Sequence, residues 1–229
     1  MTAGNPSNWD DFFADDLIPS VLELVLETWE RIEGPLADEW EDHTTMRLYA
    51  AMVRGKDRNR HSFLIRYQDV EVDFDLAKET GRKDIVFFPP TNDEEIYFCL
   101  EAKRLNVVID GVRRALADEY VKEGMQRFID RKYSRRVAHG GMLAYVLDGN
   151  VGRAMTNVAI NVRSNHQALR MEPPGQWENS PLRPGDQHTK QTQHRRTNPT
   201  APFRLHHLFV SSKGPTVSGA HASSERSEV

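Results

Sequence analysis

The chain reads as an α/β protein, a mixed central sheet flanked by helices. Three observations predict this class. Apolar residues recur at three- and four-residue steps in four segments, as on a helix face. In five other segments they alternate, or run unbroken for a few residues, as in strands. The two kinds interleave so that helices come first, then three strands, helix, strand, helix and strand. A sheet covered on both faces accommodates that order.

Over 10–33, Leu17, Val21, Leu24, Val25 and Trp29 form one helical stripe, Pro19 is tolerated near the first turn, and Gly34-Pro35 ends the segment. A second helix is predicted over 36–54, with Trp40, Leu48, Ala51 and Met52 on its stripe and a stop at Gly55. HSFLIRYQDVEVDFDLA (61–77) alternates through Phe63, Ile65 and Tyr67 and again through Val70, Val72 and Phe74. KDIVFF (83–88) is a short strand cut by Pro89-Pro90, TNDEE is a turn, and IYFCLEAKRL (96–105) is apolar on both faces until Glu101. Three strands with short turns predict an antiparallel meander. A helix at 115–133 carries Tyr120, Met125, Phe128 and Ile129; a strand at 140–149 and a helix at 151–162 come next. Residues 164–200 lose periodicity, are polar with four prolines before Thr197, and read as a functional or disordered loop. FRLHHLFV (203–210) is the last strand, with one of His206 and His207 facing outward. The organisation is an N-terminal helical segment (1–35), a main domain (36–210) with the polar loop at 164–200, and a mobile tail (211–229).

Composition narrows the class. A chain of 229 residues, 38% hydrophobic and 28% charged, builds a proper core and is not a disordered polyelectrolyte. A net charge of −4 rules out a uniformly basic nucleic-acid binder but not a local basic patch. The single cysteine, Cys99, allows no intrachain disulfide and suits a reducing, cytoplasmic setting. MTAGNPSNWDDFF lacks the basic-then-apolar pattern of a signal peptide, and no run reaches the ~20 apolar residues that span a bilayer, so no membrane role is expected.

The chemistry is concentrated in GRKDIVFFPPTNDEEIYFCLEAKRL. On a strand, Glu101 and Lys103 project to one face and Ala102 to the other. Asp84 heads the preceding strand and, if the strands are neighbours, approaches Glu101. Two close carboxylates repel, and a divalent cation removes that cost. Mg²⁺ is usually held by one or two carboxylates, waters and substrate phosphate oxygens. Lys103 beside it can stabilise developing negative charge or, lowered by the cation, act as a base. Such parts suit phosphodiester hydrolysis. A structural salt bridge, Glu101 to Arg104 or Lys103 to Asp84, accounts for the same residues, and the sequence leaves both open.

Asp84 followed after a turn by Glu101-Ala102-Lys103 resembles the PD-(D/E)XK nuclease superfamily, over about 36–162 and extending toward 210. The resemblance implies a restriction-endonuclease-like αβββαβ core and a metal-dependent nuclease, acting on DNA more than RNA, with Mg²⁺ as cofactor and Mn²⁺ as its substitute. It implies Asp84 and Glu101 as metal ligands with the Ala102 carbonyl, and Lys103 as the catalytic lysine. It also implies a supporting glutamate on the upstream helix, Glu41 first and Glu39 second. In the RecB-like branch a glutamine and a tyrosine lie on the next helix. Gln126 matches the first, while Tyr133 lies farther along than the usual spacing. Lys83 stands where the motif's name has proline. A role in defence against phage, pairing of subunits to cut two strands, and a catalytically silent nucleic-acid-binding or assembly subunit all belong to the same resemblance. The acidic N-terminal helices add a third reading, the docking of a partner ATPase.

Other motifs carry less. Arg127, Arg131, Lys132, Arg135 and Arg136 make a basic helix end, suited to phosphates or to the helix dipole. QHTKQTQHRR (187–196) has two histidines and no cysteine, which argues against a zinc site. Gly140-Gly141 precedes a strand and not a helix, so it cradles no phosphate. Cys99 has no catalytic setting, and Gly-x-Ser-x-Gly is absent.

Overall fold

The computed structural model describes residues 17–35, 39–57, 59–73, 76–91, 93–196 and 202–211. The expected helix start at 10–16, residues 36–38, Phe74, Asn92 in the TNDEE turn, 197–201 and the tail beyond Ser211 lie outside them.

Helix α1 is Ile18–Arg31, with Pro19 in the first turn, where a missing N–H costs nothing. Helix α2 is Glu41–Gly55, and its inward residues are Thr44, Thr45, Leu48 and Met52. Trp40, expected on that stripe, instead stands 70% exposed just ahead of the helix. Strands β1 (Leu64–Asp73), β2 (Lys78–Phe88) and β3 (Phe98–Leu105) form the expected antiparallel meander. A hairpin of β4 (Val107–Ile109) and β5 (Val112–Arg114) comes next. Sequence reading missed it, although its Asp110-Gly111 turn, both residues at positive φ (51° and 75°), is a standard hairpin signal.

Helix α3 covers 117–129: Ala117–Glu119, then a π-helical stretch Tyr120–Met125, then Gln126–Ile129. Strand β6 (His139–Val146), helix α4 (Val151–Ser164), and strands β7 (Glu178–Asn179), β8 (Thr189–His194) and β9 (Phe203–Ser211) complete the order. The seven-stranded sheet runs β1-β2-β3-β6-β9-β8-β7. It is mixed: β6 is parallel to β3, β9 is parallel to β6, and the other pairings are antiparallel.

Helices cover both faces. One apolar cluster joins α1 and α2 to Ile85, Phe87, Leu100, Ala102, Leu143 and Tyr145. The other joins α3 and α4 to Val86, Cys99, Leu105, Met142 and Ala144. Alternate residues of β3 and β6 thus feed opposite cores, which is why both read as continuous apolar runs. Gly141 belongs to that packing: a Cβ there would sit 2.4 Å from Leu100 Cδ2 and 2.9 Å from Phe98 Cζ.

Three expectations are corrected. Residues 164–200 are not a structureless loop: they supply β7 and β8 as far as residue 196. Neither His206 nor His207 faces outward, since both are at most 1% exposed. Val70 and Val72 of β1 are exposed, while Glu71 and Asp73 are buried. The inversion comes from partners: Glu71 accepts hydrogen bonds from Lys83 Nζ (2.6 Å) and Tyr97 Oη (2.7 Å), and Asp73 pairs with Arg135 (2.9 Å). Buried polar groups with partners outrank apolar alternation.

Candidate active site

Consecutive residues Lys83 and Asp84 enter different surroundings. Lys83 joins Glu71, Asp69 and Tyr97, whereas Asp84 lines a cleft of about 380 Å³ with Glu41, Glu101, Lys103, Arg127 and Tyr133. The cleft gathers β2, β3, the first two residues of α2 (Glu41 and Asp42), the end of α3 and the segment after it.

Its hydrogen bonds are specific. Asp84 Oδ2 accepts the Ala102 N–H at 2.7 Å, which ties the acid of β2 to the backbone of β3. Lys103 Nζ donates to Glu101 Oε1 (2.8 Å) and to the Ala102 carbonyl (2.8 Å), and pairs with Glu41 Oε1 at 3.4 Å. Glu41 Oε2 accepts the Arg104 N–H at 2.9 Å. Arg127 Nη1 lies 2.9 Å from Glu101 Oε1 and donates to Tyr133 Oη at 2.8 Å; Tyr133 Oη donates to the Arg82 carbonyl. The lysine pairs therefore join Lys103 to Glu101 and Glu41, not to Asp84.

Electrostatics reflect burial. Burial, then the charge of Glu101, pushes Asp84 up to about 7, against the Ala102 N–H, Lys103 and Arg127. Burial also raises Glu101 and Glu41, opposed chiefly by Lys103. For Lys103, burial pulls the pKa down but Glu101 and Glu41 raise it by more, so the group is held as an ammonium. Cys99 is a buried free thiol that burial pushes well above its ordinary range, which makes it inert.

The residues expected at the site fall into two groups. Asp84, Glu101, Ala102, Lys103 and Glu41 come together. Glu39 turns away to Arg47 at 2.8 Å. Gln126 is also apart from this constellation: its amide donates to Asp130 Oδ1 at 2.9 Å, one turn along. Arg127, read from the sequence only as part of a basic patch, takes the place beside Glu101. The π-helical stretch just before it accounts for the change. A wider turn takes in an extra residue and rotates the helix beyond it, so that the next residue faces the sheet. Much of the rest of the basic patch is spent internally, Arg135 on Asp73 and Arg136 on Asp93 and Glu95.

The fit to a cation is narrow. Among the described residues no group of three or more His, Cys, Asp and Glu side chains is gathered to hold a metal. Glu41 has both oxygens engaged by β3, which leaves Asp84 and Glu101 as the acidic pair. Glu101 Oε2 is buried and finds no hydrogen-bond partner among the described residues. An orphaned carboxylate oxygen beside a second acid suits a hard ion that takes most of its shell from water and substrate, not an all-protein cage. The Ala102 carbonyl is occupied by Lys103 Nζ.

Comparison of the chain with family models, with curated proteins and with solved structures gave no match in any of the three.

Proposed function

We propose that this protein is a metal-dependent phosphodiesterase. Within that class we read it as a restriction-endonuclease-like PD-(D/E)XK nuclease that cuts DNA. The observation that carries the reading is the meeting of Asp84, Glu101 and Lys103 in one cleft, with Glu101 Oε2 buried and unpartnered. Asp84 and Glu101 are the residues that would hold Mg²⁺. A divalent ion bound there supplies Lewis-acid polarisation of a phosphoryl oxygen and a water of lowered pKa. Lys103, kept protonated, donates to the phosphoryl oxygen as negative charge develops. Glu41 orients Lys103 through its Oε1 and ties α2 to β3 through its Oε2. Arg127 fixes the Glu101 carboxylate and offers a second cation to the phosphate.

The test is Mg²⁺-dependent cleavage of single-stranded, duplex and branched DNA and of RNA. Asp84→Ala and Lys103→Ala, checked for unchanged circular dichroism, abolish cleavage. Cleavage that survives both changes defeats the assignment. A second reading, a catalytically silent nucleic-acid-binding or assembly subunit, is favoured by one feature: Lys103 and Arg127 already neutralise Glu101 Oε1 without an ion. That reading requires a thermal midpoint indifferent to Mg²⁺ and Mn²⁺.

A further inference from the structure

Trp40 is the most exposed tryptophan among the described residues, at 70%, and neither core contains it. It precedes α2 in extended conformation (φ −69°, ψ 145°) and its side chain makes no capping bond. It is also held in place. The guanidinium of Arg104 lies over the ring, 5.4 Å from its centroid. That guanidinium is pinned through Nη1 to the Glu39 carbonyl at 3.1 Å, and the Arg104 N–H is bonded to Glu41.

The chain places this pair beside the chemistry. Trp40 adjoins Glu41 and Arg104 adjoins Lys103, and adjacent Cα atoms are about 3.8 Å apart. Trp40, Glu41, Lys103 and Arg104 line a second cleft of about 400 Å³, which shares Glu41, Asp42 and Lys103 with the first. The second cleft also bears Glu119 and Glu123, and Asp42 next to Glu41. Those carboxylates repel a phosphate and accept N–H groups of a base edge.

We infer that Trp40, backed by Arg104, is a stacking platform for one unpaired nucleobase next to the phosphodiester held at Asp84, Glu101 and Lys103. The inference rests on the nuclease reading and narrows its substrate. Base faces inside a duplex are covered by their neighbours, so only an unpaired or terminal base lies flat on an indole. The substrate is a single strand or a frayed end. Aromatic stacking is tolerant of sequence, so the platform selects strand state and not base identity.

The experiment measures binding of fluorescent oligothymidylate, and of a blunt duplex of equal length, to the Asp84→Asn protein in Mg²⁺. Adding Trp40→Ala weakens single-strand binding roughly 5- to 150-fold, and Trp40→Phe retains most of it. An abasic strand binds the Trp40 protein no better than the intact strand binds the Trp40→Ala protein. Duplex affinity does not change. The Trp40 side chain makes no capping bond and joins no core, so the variant is expected to fold, and its urea midpoint checks this. Unchanged single-strand affinity in folded Trp40→Ala overturns the platform. The two readings fail separately. Mg²⁺-dependent cleavage with a single-strand KM indifferent to Trp40→Ala removes the platform and keeps the nuclease. Trp40-dependent strand binding with no cleavage by the native chain removes the nuclease and keeps the platform.

Discussion

Arg127 Nη1 lies 2.9 Å from Glu101 Oε1, the oxygen that also accepts Lys103 Nζ at 2.8 Å. Two cations therefore converge on one carboxylate oxygen and leave the other, Oε2, without a partner. The same Arg127 nitrogen donates to Tyr133 Oη, so a single atom joins α3 to the acid of β3 and to the tyrosine on the backbone of β2. Arg127→Ala should lower kcat/KM for DNA cleavage by ~100-fold, the scale seen on loss of one preorganised donor. Arg127→Lys should rescue little, because a flexible ammonium does not reproduce the planar fork. Full turnover in Arg127→Ala, measured with saturating Mg²⁺, would show that the arginine is only a structural clasp.

Lys103 sits between Glu101 and Glu41 with its side chain 14% exposed. Removing it leaves the buried Glu101, still paired with Arg127, facing the half-buried Glu41. Lys103→Met should destabilise the fold by ~3 kcal/mol by urea denaturation. Glu101→Gln in the same chain should recover part of that loss, because one of the two facing acids has gone. A double-mutant cycle should give a coupling of ~1–3 kcal/mol. Additive losses would mean that the 2.8 Å contact carries no net interaction.

Lys83 is the motif's departure from proline, and sequence alone assigns it no task. In the structure it is 3% exposed, pairs with Glu71 at 2.6 Å and Asp69 at 3.0 Å, and lies 4.3 Å from the centre of the Tyr97 ring. Tyr97 Oη in turn accepts the Ser134 N–H at 2.8 Å, so the cluster fastens the segment after α3 to β1 and β2. Lys83→Ala strands Glu71 in the interior and should cost ~3–5 kcal/mol. Lys83→Met with Glu71→Leu should restore most of the stability, since an apolar pair leaves no buried charge. The readout is the urea midpoint of each variant, and a Lys83→Ala protein as stable as the parent refutes the role.

Legibility from sequence tracked the kind of force that builds each element. Helices α1, α2 and α4, strand β3 and the apolar parts of β1 and β2 were legible because apolar burial drives them and leaves a periodic trace. Glu101 and Lys103 were legible because two-residue spacing fixes a shared strand face. Strand β8 was not, because TKQTQH is polar yet almost wholly buried. Its burial depends on partners far along the chain, which no local pattern records. The exchange of Gln126 for Arg127 was hidden for another reason: a π-helical stretch changes the phase of a helix without changing its composition. The sequence ranks Glu41 ahead of Glu39; what only the fold supplies is their partners, Arg47 for Glu39 and Lys103 for Glu41.

The buried histidines around β8 make the fold sensitive to acid. Tyr120 Oη lies 2.9 Å from His207 Nδ1, and His207 Nε2 is 2.9 Å from Thr192 Oγ1. Thr192 Oγ1 is 2.7 Å from His194 Nε2, and His194 Nδ1 is 2.7 Å from the Leu169 carbonyl. That carbonyl only accepts, so His194 Nδ1–H donates to it and His194 Nε2 accepts from Thr192. Thr192 then accepts from His207 Nε2–H, and His207 Nδ1 accepts from Tyr120. Every donor has one acceptor while both rings are neutral, and an added proton breaks the chain. Burial accordingly lowers His194 to about 4 and holds His207 well below its ordinary range. In the window between those values and the unfolded pKa of about 6.5, the unfolded chain binds more protons than the folded one. The contribution is therefore intact above pH ~6.5 and is lost as pH falls, by ~1.4 kcal/mol per pH unit for each histidine. Asp84, raised to about 7, acts in the opposite sense, but equally in parent and variant. His194→Gln should thus be less stable at pH 7 yet show a stability slope between pH 4.5 and 6 that is shallower by ~1.4 kcal/mol per unit. Urea midpoints at several pH values measure both slopes. Parallel slopes would mean that His194 is protonated in the fold and that the neutral chain from Tyr120 to Leu169 does not exist.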